Sequence, residues 1–156
     1  MPRSQRGHHE HDQNDAVTLA RTLYGEARGE PRDGKVAVAW VIRNRAERKG
    51  FSGSLHRHAG AIAHVCLAPW QFSCWNNGDP NRSLLIKLQP SQCPDESAIA
   101  AEVLEGATPD PTYGADHYHT IERPSWAHAW PPDWAPHMSE AARFGGHVFY
   151  DSTRSR

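Results

Sequence analysis

The sequence predicts a mainly α-helical domain of the α+β class, with long ordered loops and a small β element. Three observations carry that reading. Apolar residues recur at helical spacing in the first part of the chain. From Ala107 onward the chain is rich in Pro, Gly, His and Trp and has little periodicity. A single segment, Gly145-Gly146-His147-Val148-Phe149-Tyr150, reads as a short terminal strand. The 156 residues suffice for one ordinary domain with a buried core.

Residues 1–13 are polar and rich in histidine, and they read as a disordered tail. His8, His9 and His11 in that tail offer a site only for a stray metal ion. No apolar stretch there resembles a secretory signal. No run in the chain approaches the ~18 apolar residues of a membrane span. The expected organisation is a tail over 1–13, a single catalytic domain over 14–151, and a C-terminal tail over 152–156.

The first helix is expected from Asn14 or Asp15, as N-cap, to Gly29, since Pro31 disfavours helix at Glu30. Val17, Ala20, Tyr24 and Ala27 form its apolar stripe, widened by Leu19 and Leu23. Glu26 falls at the rim of that stripe. A second helix is expected over Lys35–Arg48 with Asp33 as cap. Its first half, Val36 to Ile42, is apolar all round and so buried, and its second half, Arg43 to Arg48, should return to solvent. A short helix is expected over 55–65, and another from Asp95 to Glu105, stopped by Gly106. Asn77-Gly78 and Asp79-Pro80 mark turns.

The formal net charge is −1 and the pI about 6.8, which exclude a polycation built for nucleic acid. Cys66, Cys74 and Cys93 contain no CxxC pair. Cys93 with Cys66 or Cys74 gives one disulfide; three reduced thiols are the alternative.

Three segments carry chemistry. In Tyr24-Gly25-Glu26-Ala27-Arg28-Gly29-Glu30-Pro31, two carboxylates stand at i and i+4. A carboxyl group protonates a poor leaving group near neutral pH only if burial raises its pKa. Glu26 has the right position, although such a pair is often only a solvated helix face. Gln71-Phe72-Ser73, flanked by Trp70 and Trp75, combines amide, hydroxyl and aromatic groups suited to sugars; the plainer reading is an aromatic plug under a loop. Gly114-Ala115-Asp116-His117-Tyr118-His119 is followed by Trp126, Trp130 and Trp134. His117 and His119 invite a zinc reading. A third ligand would have to come from His128, His137 or His147, and no HExxH is present.

These segments, in this order from about Val17 to Tyr150, resemble the SleB-type cell wall hydrolase family. Leu19 to Pro31, then Gly34 to Arg45, then Gln71 to Trp75, Gly114 to His119 and Gly146 to Tyr150 carry the likeness. The resemblance implies a compact lysozyme-like fold, close to the catalytic domain of lytic transglycosylases. It implies cleavage of the peptidoglycan bond between N-acetylmuramic acid and N-acetylglucosamine, with Glu26 as acid and no cofactor or metal. Gln71, Phe72, Ser73, His117, Tyr118 and His119 would line the cleft, with Glu30, Trp75 and Tyr150 in support.

Two side chains of one helix, about 6 Å apart at Cβ, cannot readily flank a bond, so Glu30 is a poor second carboxylate. Asp79, Asp110 and Asp116 remain as partners. A single-carboxylate transglycosylase forming 1,6-anhydro-muramic acid is therefore expected. The alternatives are a muramidase, a zinc-dependent amidase, and a wall-binding module that cleaves nothing. The bare layout resembles a phage or prophage endolysin. Such a protein is a monomer made in the cytoplasm, with no nucleic-acid partner and no membrane insertion, and reaches the periplasmic wall through a holin. With no complete zinc motif, EDTA is expected to leave the activity unchanged. Loss on chelation with recovery on added zinc would favour the amidase.

Overall fold

The computed structural model describes residues 4–48, 61–68 and 71–155. Among them are helices α1 (Ser4–Ala27), α2 (Arg32–Glu47), α3 (Ala61–Leu67), α4 (Pro80–Lys87) and α5 (Pro94–Glu105). Strands β1 (His117–Thr120), β2 (Met138–Phe144) and β3 (His147–Ser155) form an antiparallel sheet in the order β1-β3-β2. The expected class, mainly helical with a small β element, is what the chain adopts.

The core is helical. Leu19 and Leu23 of α1 meet Val38, Val41 and Ile42 of α2, with Val65, Leu85, Ile99 and Val103 from the other helices, all buried. Phe149 of β3 is fully buried in the same cluster and joins the sheet to it.

Several boundaries differ from expectation for identifiable reasons. α1 begins at Ser4 and takes in residues read as tail, because no proline lies between Ser4 and Asp15. Asp15 is buried inside α1, and its Oδ1 accepts from the Ala63 amide at 3.2 Å. The expected cap of α1 thus serves the first turn of α3 instead. α2 starts after Pro31 with no side-chain cap, and Asp33 lies in its first turn, where it suits the helix dipole. α4 was expected only as a turn. Asp79 caps it, accepting from the Asn81 amide at 2.8 Å, and Pro80 occupies the first helical position. α5 ends as expected at Gly106, with φ of 74°. The strand expected near Tyr150 runs on to Ser155 and pairs with β2. The expected helix over 55–65 lies partly outside the described residues, and Trp70 lies wholly outside them. All three cysteines are free thiols, which selects the reduced alternative.

The largest departure is in α2. Asn44, Arg45 and Ala46 do not return to solvent but are buried. Asn44 Nδ2 donates to Asp110 Oδ2 at 3.0 Å and to the Ala115 carbonyl at 2.9 Å. Arg45 Nε donates to the Asp116 carbonyl at 2.6 Å. This polar seam fixes the approach to β1, and so the placing of the cleft residues. Arg48 extends it, with Nη1 2.8 Å from Asp116 Oδ2.

Elsewhere, α2 and α5 are tied by a buried ion pair, Lys35 Nζ to Glu96 Oε1 at 3.0 Å. Removing one partner leaves a buried charge uncompensated. Glu96→Ala should cost about 3–5 kcal/mol in urea unfolding, and Lys35→Met with Glu96→Leu should recover most of it. Equal stability of Glu96→Ala and wild type would contradict this.

Candidate active site

Glu26 sits in the last turn of α1, where the chain packs unusually close to its neighbours. A Cβ on Gly25 would lie 2.8 Å from Cys74 Cβ and Sγ and from Leu85 Cδ1. Only glycine permits this approach, and it brings Cys74 beside the Glu26 carboxyl. Glu26 Oε1 is buried without a hydrogen-bond partner among the described residues. Burial therefore raises the Glu26 pKa above its ordinary 4.5. Hydrogen bonds from the Cys74 thiol and amide pull it back, Asp79 pushes it up and Arg45 down.

Glu26 lines a cleft of about 650 Å³ together with Tyr118, His119, His147 and the loop tryptophans Trp126, Trp130 and Trp134. Strand register places Tyr118 opposite the buried Phe149. Burial, and then the neighbouring Glu26, hold the Tyr118 hydroxyl protonated well above its usual range, with Arg45 opposing. His119 is fully engaged: Nδ1 donates to the Thr120 carbonyl at 2.7 Å, and Nε2 lies 2.9 Å from the Tyr150 hydroxyl. Trp130 Nε1 donates to the same carbonyl at 3.0 Å. The aromatic wall is mutually braced, with Trp126 edge-on to Trp130 at 6.3 Å and Trp134 edge-on to Tyr150 at 5.3 Å. Trp126 is 76 % exposed, an apolar face turned to solvent over the cleft.

Glu30 is placed differently. Its Oε2 accepts from the Gly146 amide at 3.0 Å, and its Oε1 lies 3.4 Å from His147 Nδ1. Gly145 has φ of 54°, and a Cβ there would fall 2.0 Å from Glu30 Oε2. Glu30 thus pins the β2–β3 turn, which carries His147 into the cleft, where Tyr118 packs edge-on to it at 5.1 Å. Burial lowers the His147 pKa; Glu30 opposes that and His119 adds to it.

Of the residues singled out in the sequence, Glu26, Tyr118 and His119 line the cleft with Trp126, Trp130 and Trp134, and Tyr150 stands behind His119. His117 Nδ1 lies 2.9 Å from Asp116 Oδ1, and its ring packs on Trp134 at 5.1 Å. With His119 also committed, these two histidines serve the protein's own contacts. Gln71 and Phe72 sit one layer back around Arg45. Gln71 Oε1 accepts from Arg45 Nη1 at 3.3 Å, and the guanidinium lies 5.2 Å from the Phe72 ring centre. Ser73 is exposed and does not line the cleft, and Trp75 faces another groove. The short helical turn over Ser73–Trp75 delivers Cys74 to Glu26 and leaves Ser73 and Trp75 outside the lining of this cleft.

Arg45 is the residue that sequence reading missed. Helical spacing puts it in line with the buried Val38 and Ile42, but a charged residue near a helix end reads as solvent-facing until its tertiary partners are seen. Its charge acts on both Glu26 and Tyr118. His147 reads from the sequence as a candidate metal ligand and as part of the terminal strand, not as a cleft residue.

A carboxyl buried beside an aromatic cleft, in a helical domain with one small antiparallel sheet, defines the lysozyme-like class of catalytic domain. Residues 29–150 match the cell wall hydrolase family, and the chain belongs to it. Among curated proteins it is similar to the spore cortex-lytic enzymes of Bacillus subtilis (31 % identity over 136 residues) and of Halalkalibacterium halodurans (31 % over 138 residues). Each match takes in 87 % of this chain but 37 % and 34 % of those proteins, so the chain spans about a third of their length. Among solved structures, the catalytic domain of the Bacillus cereus SleB protein superposes with a TM-score of 0.66 at 29 % identity, covering 89 % of this chain and 91 % of that one. The catalytic domain of the germination-specific lytic transglycosylase SleB from Bacillus anthracis gives 0.65 at 28 %, covering 89 % and 95 %.

The raised Glu26 pKa has a consequence for stability. The folded state binds this proton more tightly than the unfolded chain, so the Glu26 contribution falls as pH rises from the ordinary carboxylate value through the raised one. Glu26→Gln removes that penalty. The variant should be more stable than wild type at neutral pH in chemical denaturation, with the gap closing toward pH 4 and below. A gap that widens on acidification would contradict the assignment.

Proposed function

We propose that this domain cleaves peptidoglycan between N-acetylmuramic acid and N-acetylglucosamine as a lytic transglycosylase, with Glu26 as its acid and then its base. The observation that carries the reading is the Glu26 carboxyl, held toward its protonated form by burial and opening onto an aromatic cleft. In the first half of the reaction Glu26 donates its proton to the glycosidic oxygen as the C1–O bond breaks, and an oxocarbenium-like centre develops at C1. In the second half the Glu26 carboxylate takes the proton of the muramoyl C6 hydroxyl, whose oxygen closes on C1. The product is a 1,6-anhydro ring, and Glu26 is protonated again.

The other carboxylates support a single-acid reaction. Glu30 is spent on the β2–β3 turn, and Asp79 caps α4. Asp110 holds Thr112, Gly114 and Asn44. Asp116 is held by Arg48, His117 and Ser152. Asp133 is different, since it lines the same cleft on the tryptophan loop. It favours one second reading, a hydrolase in which Asp133 acts on water or on the sugar.

In the proposed reaction Tyr118 donates a hydrogen bond at the acid, and the loop tryptophans stack on sugar faces. Glu30 and His147 position Tyr118, and Gln71 and Phe72 hold Arg45 behind it. The catalytic unit reaches past the expected boundary at 151 to take in β3 through Ser155, and it acts on peptidoglycan without a cofactor. The named relatives are spore cortex enzymes and lend no support to the endolysin setting.

Mass spectrometry of fragments released from purified peptidoglycan tests this. Wild type should release anhydro-muramyl ends, and Glu26→Gln should release at least about a hundredfold fewer. Asp133→Asn should keep most of the activity. Reducing muramic ends that vanish in Asp133→Asn would establish the hydrolase instead, and free stem peptides would overturn both readings.

A further inference from the structure

Trp75 directly follows Cys74, the residue beside the Glu26 carboxyl, yet it faces a different groove. A space of about 610 Å³ is lined by Trp75, Asn76, Asn77, Asp79 and Arg82 with Leu67. An adjoining space of about 340 Å³ is lined by Arg21 and Ile86 along with the same Leu67, Trp75 and Arg82. The shared residues make this one continuous groove across the indole. The Trp75 ring is fixed, because Nε1 donates to Thr22 Oγ1 at 2.9 Å and the ring packs on the core.

Three of the polar side chains here are unspent. Among the described residues, no side-chain hydrogen bond or ion pair engages Asn76, Asn77 or Arg82. Arg21 is anchored through Nε on the Leu88 carbonyl at 2.9 Å and adds a second cation to the lining. The Asp79 carboxylate is partly committed, to the Asn81 amide. At the rim, Leu67 and Ile86 are 51 % and 49 % exposed. A fixed indole with apolar flanks suits the C–H face of a pyranose, free amides suit N-acetyl and hydroxyl groups, and two guanidinium groups suit a carboxylate. With a net charge of −1 over the whole chain, attraction to an anionic strand has to be local, and this groove supplies it.

We propose that this groove is a second binding site for the wall strand, taking a carboxylate-bearing N-acetylhexosamine unit distant from the bond that is cut. The inference rests on peptidoglycan being the substrate. A long strand lying in the cleft and in this groove together is held at two points, which raises its local concentration at Glu26. A short fragment reaches only the cleft.

The test uses the full chain carrying Glu26→Gln, so that binding is read without cleavage. Cosedimentation with purified sacculi should weaken about tenfold when Arg82→Glu is added, with the difference shrinking at high salt. Binding to chitin, a neutral N-acetylglucosamine polymer, should not change with Arg82→Glu. In the otherwise wild-type enzyme, Arg82→Glu should slow cleavage of sacculi and leave cleavage of a tetrasaccharide fragment unchanged. Unaltered sacculus binding would overturn the proposal, as would equal losses on sacculi and chitin or on sacculi and the tetrasaccharide. Because binding is read apart from catalysis, failure of the groove and failure of the transglycosylase reading are distinguishable: the latter shows as absent anhydro ends in wild type.

Discussion

Asp116 is a fully buried carboxylate at the junction of the helical core and the sheet, and its solvation by the protein holds that junction together. Burial alone would raise its pKa, but hydrogen bonds from His117, from the Ser152 hydroxyl and amide, and from Arg48 outweigh that and keep it charged. The Asp116 carbonyl also receives Arg45. One residue thus ties α2, the start of β1 and the end of β3. Because Tyr118 lies two positions further along β1, the seam sets where the cleft wall stands relative to Glu26.

Glu26 shows the opposite treatment of the same chemical group. Asp116 is given several strong donors and stays ionised; Glu26 is given an apolar flank with only the Cys74 thiol and amide, and its neutral form is favoured. The difference arises from local packing. The close contact of Gly25 with Cys74 and Leu85 crowds the carboxyl, and the Cys74 thiol and amide do not make up for its lost hydration. Stability given up at this position is what a general acid requires, whereas Asp116 contributes to holding the fold. Arg45 stands between the two and acts on both.

Much of this was legible in the sequence. The helical class, the all-round burial of Val36 to Ile42, the stop at Gly106 and the rim position of Glu26 follow from periodicity and from the chemistry of glycine. What was not legible depends on tertiary partners. Arg45 reads as a solvent-facing helix end unless one sees that Asp116 and Gln71 await it. Asp15 reads as a local cap, but its acceptor serves another helix. Glu30 looks like half of a catalytic pair until the β2–β3 turn, more than a hundred positions away, is seen to claim it. Ser73 and Trp75 read as cleft residues from their hydroxyl and aromatic chemistry and from the family resemblance, while the short helical turn leaves Ser73 exposed and Trp75 beside another groove.

The central claim is that burial holds the Glu26 carboxyl above its ordinary pKa while the rest of the site waits on that proton. It is tested most directly by following the side-chain carboxyl carbon of Glu26 by NMR across a pH titration, assigned by its loss in Glu26→Gln. The account predicts a midpoint above the ordinary 4.5, moved further upward when Arg45, whose charge favours the ionised form, is replaced by methionine in a folded variant. A midpoint at or below 4.5 in wild type would contradict it, and Glu26 would then be an ordinary solvated carboxylate.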